Sequence, residues 1–195
     1  MELSYREILG GLSAAIIVAA NIPYFVGIFQ RRFEPHVFSW LVWGINAGVV
    51  CAGQYVSGGG PGSWTSGFYA VIGILIALLG LKYGEKHITR GDWITLAVAF
   101  AAMPLWWITK DPLWSVILVT LIDVVIFYPT LRKSWNRPFH ESLLMCAPAA
   151  VSNLLSLGAL EVLNLTTVFS PMIMAVANGA CAWAILHRRR IVARA

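Results

Sequence analysis

Apolar residues in this chain gather in long blocks separated by short polar gaps. Seven blocks stand out, at 8–29, 37–56, 64–83, 92–109, 113–131, 142–160 and 165–187. Each is close to the roughly 20 residues that an α-helix needs to cross the hydrocarbon core of a bilayer. The pattern predicts an all-α membrane protein with seven transmembrane helices. The first block is too long for the apolar region of a cleavable signal peptide, so it reads as a span. Ser57-Gly58-Gly59-Gly60-Pro61-Gly62 reads as a flexible turn after the second span. No Gly-Lys-Ser/Thr follows it, so it is not a phosphate loop. The Lys110-Asp111 pair and Pro112 separate spans four and five.

Composition agrees. Hydrophobic residues make up 58% of the chain and charged ones 12%, against about 25% charged in soluble domains. A soluble fold of this size has no interior large enough for that much apolar surface. The net charge of +5 is spread over the ends of the apolar blocks, which argues against a nucleic-acid patch. Cytoplasmic loops are enriched in Lys and Arg. Seven spans place only Arg6 and Lys110 on one side. The other side receives Arg31, Arg32, Lys82, Lys86, Arg90, Arg132, Lys133, Arg137, Arg188, Arg189, Arg190 and Arg194. The split predicts a multi-pass protein of the cell (cytoplasmic or inner) membrane, N-terminus outside and C-terminus cytoplasmic. Cys51, Cys146 and Cys181 all fall inside apolar blocks, which suits buried small side chains better than a disulfide framework.

The chain also repeats itself. Pro23 closes span one, ahead of Arg31-Arg32 and of Pro35, with Ser39 opening span two. Pro129 closes span five, ahead of Arg132-Lys133 and of Pro138, with Ser142 opening span six. Both third spans end in basic residues, at Lys82 and at His187-Arg188. The predicted architecture is two parallel three-helix repeats joined by a linker helix, 3+1+3. Residues 1–88 form the first repeat, 89–111 the linker helix, and 112–195 the second repeat with its basic tail. Parallel repeats of this kind are a transporter construction, related by an axis along the membrane normal.

This layout, with a proline late in the first helix of each repeat and a basic pair after it, resembles the SWEET sugar carriers and PQ-loop transporters. It is also similar to the PnuC vitamin carriers, which share the architecture and are rich in tryptophan. Pro23-Tyr24, Pro35-His36 and Ser39-Trp40-Leu41-Val42-Trp43 look like a group of bacterial membrane proteins of unassigned function. Tyr24 and Thr130 stand where PQ-loop proteins carry glutamine. The resemblance implies alternating access to a solute site between the repeats, and an asparagine of each third helix in that site. Asn178 lies at the matching depth in span seven, and its repeat partner is Gly73.

Asp123 is the sharpest chemical signal, because it lies in mid-span. An ionised carboxylate at the bilayer centre costs at least about 2.5–3.5 kcal/mol, and such residues face a bundle interior or cavity. Either it couples proton movement to solute movement, or it is hydrogen-bonded to a neighbouring helix. Asn21, Asn46, Asn153 and Asn178 also fall at mid-depth. Ser39, Trp43 and Asn46 follow i, i+4, i+7 spacing and share one face of span two. That face offers stacking and hydrogen bonds to a ligand, or simply glue between helices. The predicted solute site is Asn21, Trp43, Asn46, Asp123, Asn153 and Asn178. Pro23 and Pro129 interrupt the helical hydrogen-bond ladder at equivalent places and are candidate hinges, the alternative being fixed kinks. Most tryptophans read as an interfacial belt; Trp43 and Trp183 read as deeper, candidate cavity walls.

Other chemistry finds no support. A retinal protein needs a lysine in the middle of span seven, and every lysine lies at a span end. No nucleophile elbow, His-Glu-x-x-His or paired catalytic carboxylates appear. His36, His87, His140 and His187 sit at span ends without ligand spacing. The reading is a carrier or facilitator for a small polar solute of the sugar, vitamin or nucleoside class, without enzymatic activity, cofactor or metal. Its expected partners are the solute, the lipid bilayer and another copy of the chain. A non-transporting sensor or assembly module is the chief alternative, a membrane enzyme the third.

Overall fold

The structure, a computed structural model, describes residues 3–84, 90–136 and 143–192. Lys86, His87, Arg137, Pro138, His140, Ser142 and Arg194 lie outside the described residues, as do the side chains of Pro129, Thr130 and Lys133. The apolar blocks are helices: α1 Tyr5–Phe29, α2 Val37–Val56, α3 Trp64–Tyr83, α4 Arg90–Thr109, α5 Pro112–Asn136, α6 Leu143–Ala159 and α7 Leu165–Val192. A 3-10 turn, Gly60–Ser63, leads into α3. No strand occurs among the described residues. Four of these segments are long and apolar enough to cross a membrane: α1, α2, α3 with its 3-10 lead-in, and α7. Shorter apolar stretches run through Pro112–Phe127 in α5 and Met145–Ala159 in α6.

Local chemistry sets several boundaries. Ser4 caps α1 through a reciprocal capping box, its hydroxyl accepting from the Glu7 amide and its own amide donating to the Glu7 carboxylate. His36 Nδ1 accepts the Ser39 amide at 3.3 Å and starts α2. Helices α5 and α7 run five residues past the apolar blocks at 131 and 187, to Asn136 and Val192. Hydropathy marks the edge of an apolar stretch, whereas a helix continues into polar sequence. Arg189 and Arg190, in the last turn, favour the negative end of the α7 dipole.

Helix α3 packs on both α1 and α2, and α7 on both α5 and α6. Helix α1 also packs on α6, α2 on α5, and α4 on α2 and α5. Backbones approach closely at α2–α3. A Cβ on Gly73 would lie 2.7 Å from Gly44 Cα and 2.8 Å from Gly44 N. Small residues at a crossing are what let membrane helices touch, so Gly73 is a packing position and has no room for the polar side chain that Asn178 carries in α7.

Polarity is distributed inside out. Ser13, Asn46, Gln54, Ser115, Thr120, Ser152 and Thr167 are wholly buried, while Leu81, Val125, Val176 and Trp107 are more than half exposed. An apolar exterior of this kind, around helices long enough to span, is the layout of a helical membrane protein. Cys146 and Cys181 are buried, Cys51 partly so, and none forms a disulfide.

The two ends of the bundle differ. At one end the glycine-rich segment is an ordered part of the core, not the flexible turn its composition suggests. Gly58 and Gly60 take left-handed backbone angles, φ 79° and 56°, which glycine adopts without the Cβ penalty. The segment then docks on the α6–α7 connection: the Glu161 amide donates to Gly59 O at 3.2 Å and the Val162 amide to Gly58 O at 3.1 Å. The Asn164 side-chain amide donates to Ser57 O at 3.2 Å. Pro61, Gly62 and Ser63 are buried beneath this clip. The opposite, basic end holds Arg31, Lys82 and Arg188 against Tyr83 and Trp135 rings. Ring pairs described there lie within α1–α3 and the segment joining α1 to α2, within α5–α7, or between α2 and α4. The clip makes a prediction: in hydrogen-exchange mass spectrometry the amides of Glu161 and Val162 exchange slowly, like helix interiors, although both side chains are exposed. Exchange at the rate of an open loop would show that the clip does not hold.

Candidate functional site

One polar pair joins helices through the apolar seam between α2 and α5. Val42, Asn46, Val49, Val50 and Gly53 form the buried face of α2, at helical spacing. On α5 the facing positions are Val116, Val119 and Asp123. Val49, Val50, Val116 and Val119 pack together with Leu118 and Phe169. One turn further towards the basic end, Asn46 Nδ2 donates to Asp123 Oδ1 at 2.7 Å and approaches Val119 O at 3.4 Å. The first is a short hydrogen bond. Asn46 is wholly buried and Asp123 partly so. Asn46 Oδ1 is buried without a hydrogen-bond partner among the described residues. The pair therefore retains one unused acceptor beside a carboxylate that is not fully closed off. Such a site can hold a proton or accept a donor group of a solute.

The other predicted residues do not join it. Asn21 Nδ2 donates to Ile17 O at 2.9 Å, Asn153 Nδ2 to Ala149 O at 2.8 Å, and Asn178 Nδ2 to Met174 O at 2.9 Å. Each amide thus turns back on its own helix, a local bond available to any asparagine in an apolar run. Trp43 meets Trp40 edge-on, with ring centres 5.2 Å apart. Trp40 in turn donates to the Tyr24 hydroxyl at 3.3 Å. Ser39 is engaged in the α2 cap with His36. Of the Ser39, Trp43 and Asn46 face, only Asn46 reaches α5. Trp183 is no cavity wall: it is 58% exposed and stacks on Trp135 and His187. Its position in the sequence gave depth, but not which side of α7 it occupies. Pro23 is exposed and α1 runs through it unbroken, as α5 runs through position 129.

Several polar residues that the sequence did not single out do interact across helices. Ser13 of α1 donates to Ser152 O of α6 at 2.7 Å, and Ser152 returns a bond to Ser13 O at 2.9 Å. Thr65 of α3 also contacts the Ser13 hydroxyl. Ser156 donates to Gly62 O at 2.8 Å and Gln54 to Thr167 O at 2.9 Å. Tyr69, packed with Ile17, Ile72 and Ala149, reaches the Asn153 side chain. Single serines and threonines in apolar runs are common helix-to-helix glue, so their spacing carried no distinguishing signal. No three His, Cys, Asp or Glu side chains converge among the described residues. A groove of about 520 Å³ runs between α1 and α3, lined by Gly11, Ala15, Val18, Ile22, Trp64 and Phe68. Its walls are apolar and offer a solute no polar partner.

No protein family, curated protein or solved structure matches this chain. The functional reading rests on the Asn46–Asp123 seam and the packing around it.

Proposed function

We propose that this chain is a multi-pass carrier or facilitator for a small polar solute, built as two three-span halves joined by a linker span (3+1+3), like the SWEET, PQ-loop and PnuC carriers. The observation that carries the reading is the packing pattern. Exchanging α1 with α5, α2 with α6 and α3 with α7 leaves the neighbour pairs among these six helices unchanged; α4, which packs on α2 and α5, stands outside the exchange. The α1–α6 seam then corresponds to the α2–α5 seam. The correspondence extends to residues 106 positions apart: Ser13 with Val119, Asn46 with Ser152, and Pro23 with Pro129. Ser152 donates to Ser13 O, and Asn46 approaches Val119 O, so one seam bond recurs in the other. Asp123 corresponds to Ile17; one seam is charged and the other is not.

In this reading the N-terminus is outside and the basic end is cytoplasmic. Asn46 holds Asp123, which exchanges a proton or binds the solute as the halves move. Pro23 and Pro129 serve as flexible points in the equivalent helices α1 and α5. Tests start from the purified chain in proteoliposomes, offered labelled sugars, vitamins and nucleosides. One class is expected to enter saturably, and Asp123→Asn should slow it by about tenfold or more, about 1.4 kcal/mol, or abolish its pH dependence. Transport by Asp123→Asn at the normal rate and pH dependence would remove Asp123 from the mechanism. A chain that moves none of these classes favours the second reading, a non-transporting sensor or assembly module. The clipped, hydroxyl-packed end of the bundle supports that alternative.

A further inference from the structure

The most unusual exposed feature is an aromatic stack at the basic end, between α5 and α7. Trp183 and His187 lie with ring centres 4.9 Å apart and planes within 7°. Trp135 of α5 joins them at 6.0 Å from Trp183 and 6.2 Å from His187. Large rings stacked across two helices ordinarily belong to a core, yet Trp183 is 58% and Trp135 42% exposed. Below them the same sides of the two helices are apolar and exposed, at Val176 seven residues before Trp183 and at Val124 eleven before Trp135. The stack therefore stands where an acyl-chain surface ends.

Charge begins at the same level. Trp183, His187 and Arg190 follow i, i+4, i+7 and share one face of α7, and Arg190 is exposed. Arg132, also exposed, lies one turn before Trp135 on α5. Arg188 Nε donates to Trp135 O at 3.0 Å, with the guanidinium 5.4 Å from the Trp135 ring centre. Among the described residues that bond engages Nε alone, so the flat guanidinium still has its terminal nitrogens to offer in fixed orientation. Helix α7 carries no acidic residue, and α5 carries only Asp123, more than two turns away from Arg132. Glu141, in the connection outside the described residues, is the nearest acidic residue in sequence.

We infer that this surface binds the phosphate headgroup of an anionic phospholipid. Arg132, Arg188 and Arg190 meet the phosphate, His187 and the two indoles meet the glycerol region, and the acyl chain continues down the α5–α7 face. The chemistry is that of basic sites between helices that take acidic lipid headgroups, with tryptophan at the interfacial level. The site lies at the opposite edge of α5 from its α2 seam and is independent of any solute.

The test uses the full chain in nanodiscs and its tryptophan emission, titrated with phosphatidylglycerol or phosphatidylcholine brominated on the acyl chains. Bromine-labelled phosphatidylglycerol is expected to quench at lower mole fraction. Trp183→Phe combined with Trp135→Phe should remove most of that early quenching. Arg132→Gln with Arg190→Gln should raise the required mole fraction by about 25-fold, since each arginine near a charged surface contributes about fivefold. Circular dichroism on each variant establishes that the helices are intact. Equal quenching by the two lipids, or an unchanged preference in the arginine variant, would overturn the proposal. Should the arginine variant fail to fold, the paired tryptophan variant decides: early quenching that survives it places the lipid elsewhere.

Discussion

Gly73→Leu is expected to prevent assembly of the bundle, and Gly73→Ala to destabilise it by about 2–3 kcal/mol. The reason is geometric. A new Cβ at position 73 meets the Cα and N of Gly44 at 2.7 and 2.8 Å, and Trp40 O at 3.1 Å. These are backbone atoms of α2, which yield only if the two helices separate. Separation would pull Trp40 and Asn46 away from Tyr24 and Asp123, their partners on α1 and α5. Gly11→Ala is the control, since nothing lies within 4 Å of its added Cβ, and its effect should stay within about 0.5 kcal/mol. Thermal unfolding in detergent, followed with a thiol-reactive dye, reads both, because Cys146 and Cys181 are buried until the helices part. Equal melting of the alanine variant at 73 and the unsubstituted chain would show that α2 and α3 do not cross there.

Asn46→Leu should cost about 2 kcal/mol. The substitution is nearly isosteric, but it strips the carboxylate of a donor at 2.7 Å within an apolar seam. Removing one partner of such a pair leaves the other desolvated, whereas replacing both with apolar groups approaches neutrality. The double variant Asn46→Leu with Asp123→Leu should therefore be more stable than the sum of the single effects allows, by about 1–2 kcal/mol. Additivity within about 0.5 kcal/mol would mean the two side chains do not meet in the folded protein.

Helix positions were largely legible from composition. The blocks at 37–56 and 64–83 coincide with α2 and α3 residue for residue, because lipid and a buried interior both demand an unbroken apolar run. What a linear pattern lacks is rotation about each helix axis. Asn21, Asn46, Asn153 and Asn178 look alike in sequence, yet only Asn46 faces a carboxylate on another helix. Trp183 has the right depth and points outward. Gly73 appeared to be a missing polar residue because its neighbour Gly44, 29 positions earlier, is close only in space. The glycine-rich segment misled for the same reason: its left-handed residues allow a turn, but the partners that fasten it lie about 100 residues further along.

That fastening sets how the molecule can move. Bonds from Glu161, Val162 and Asn164 tie the α6–α7 connection to the α2–α3 connection at the clip, whereas the ring contacts of the basic end stay within α1–α3, within α5–α7, or reach α4 from α2. In the proposed carrier the two halves would act as a pair of levers with the fulcrum at the clip. With α1 25 residues long and a rise of about 1.5 Å per residue, each arm measures about 37 Å. A relative rotation of about 10° then parts the basic ends by about 6 Å, room for a small solute, while the fulcrum shifts too little to break a hydrogen bond.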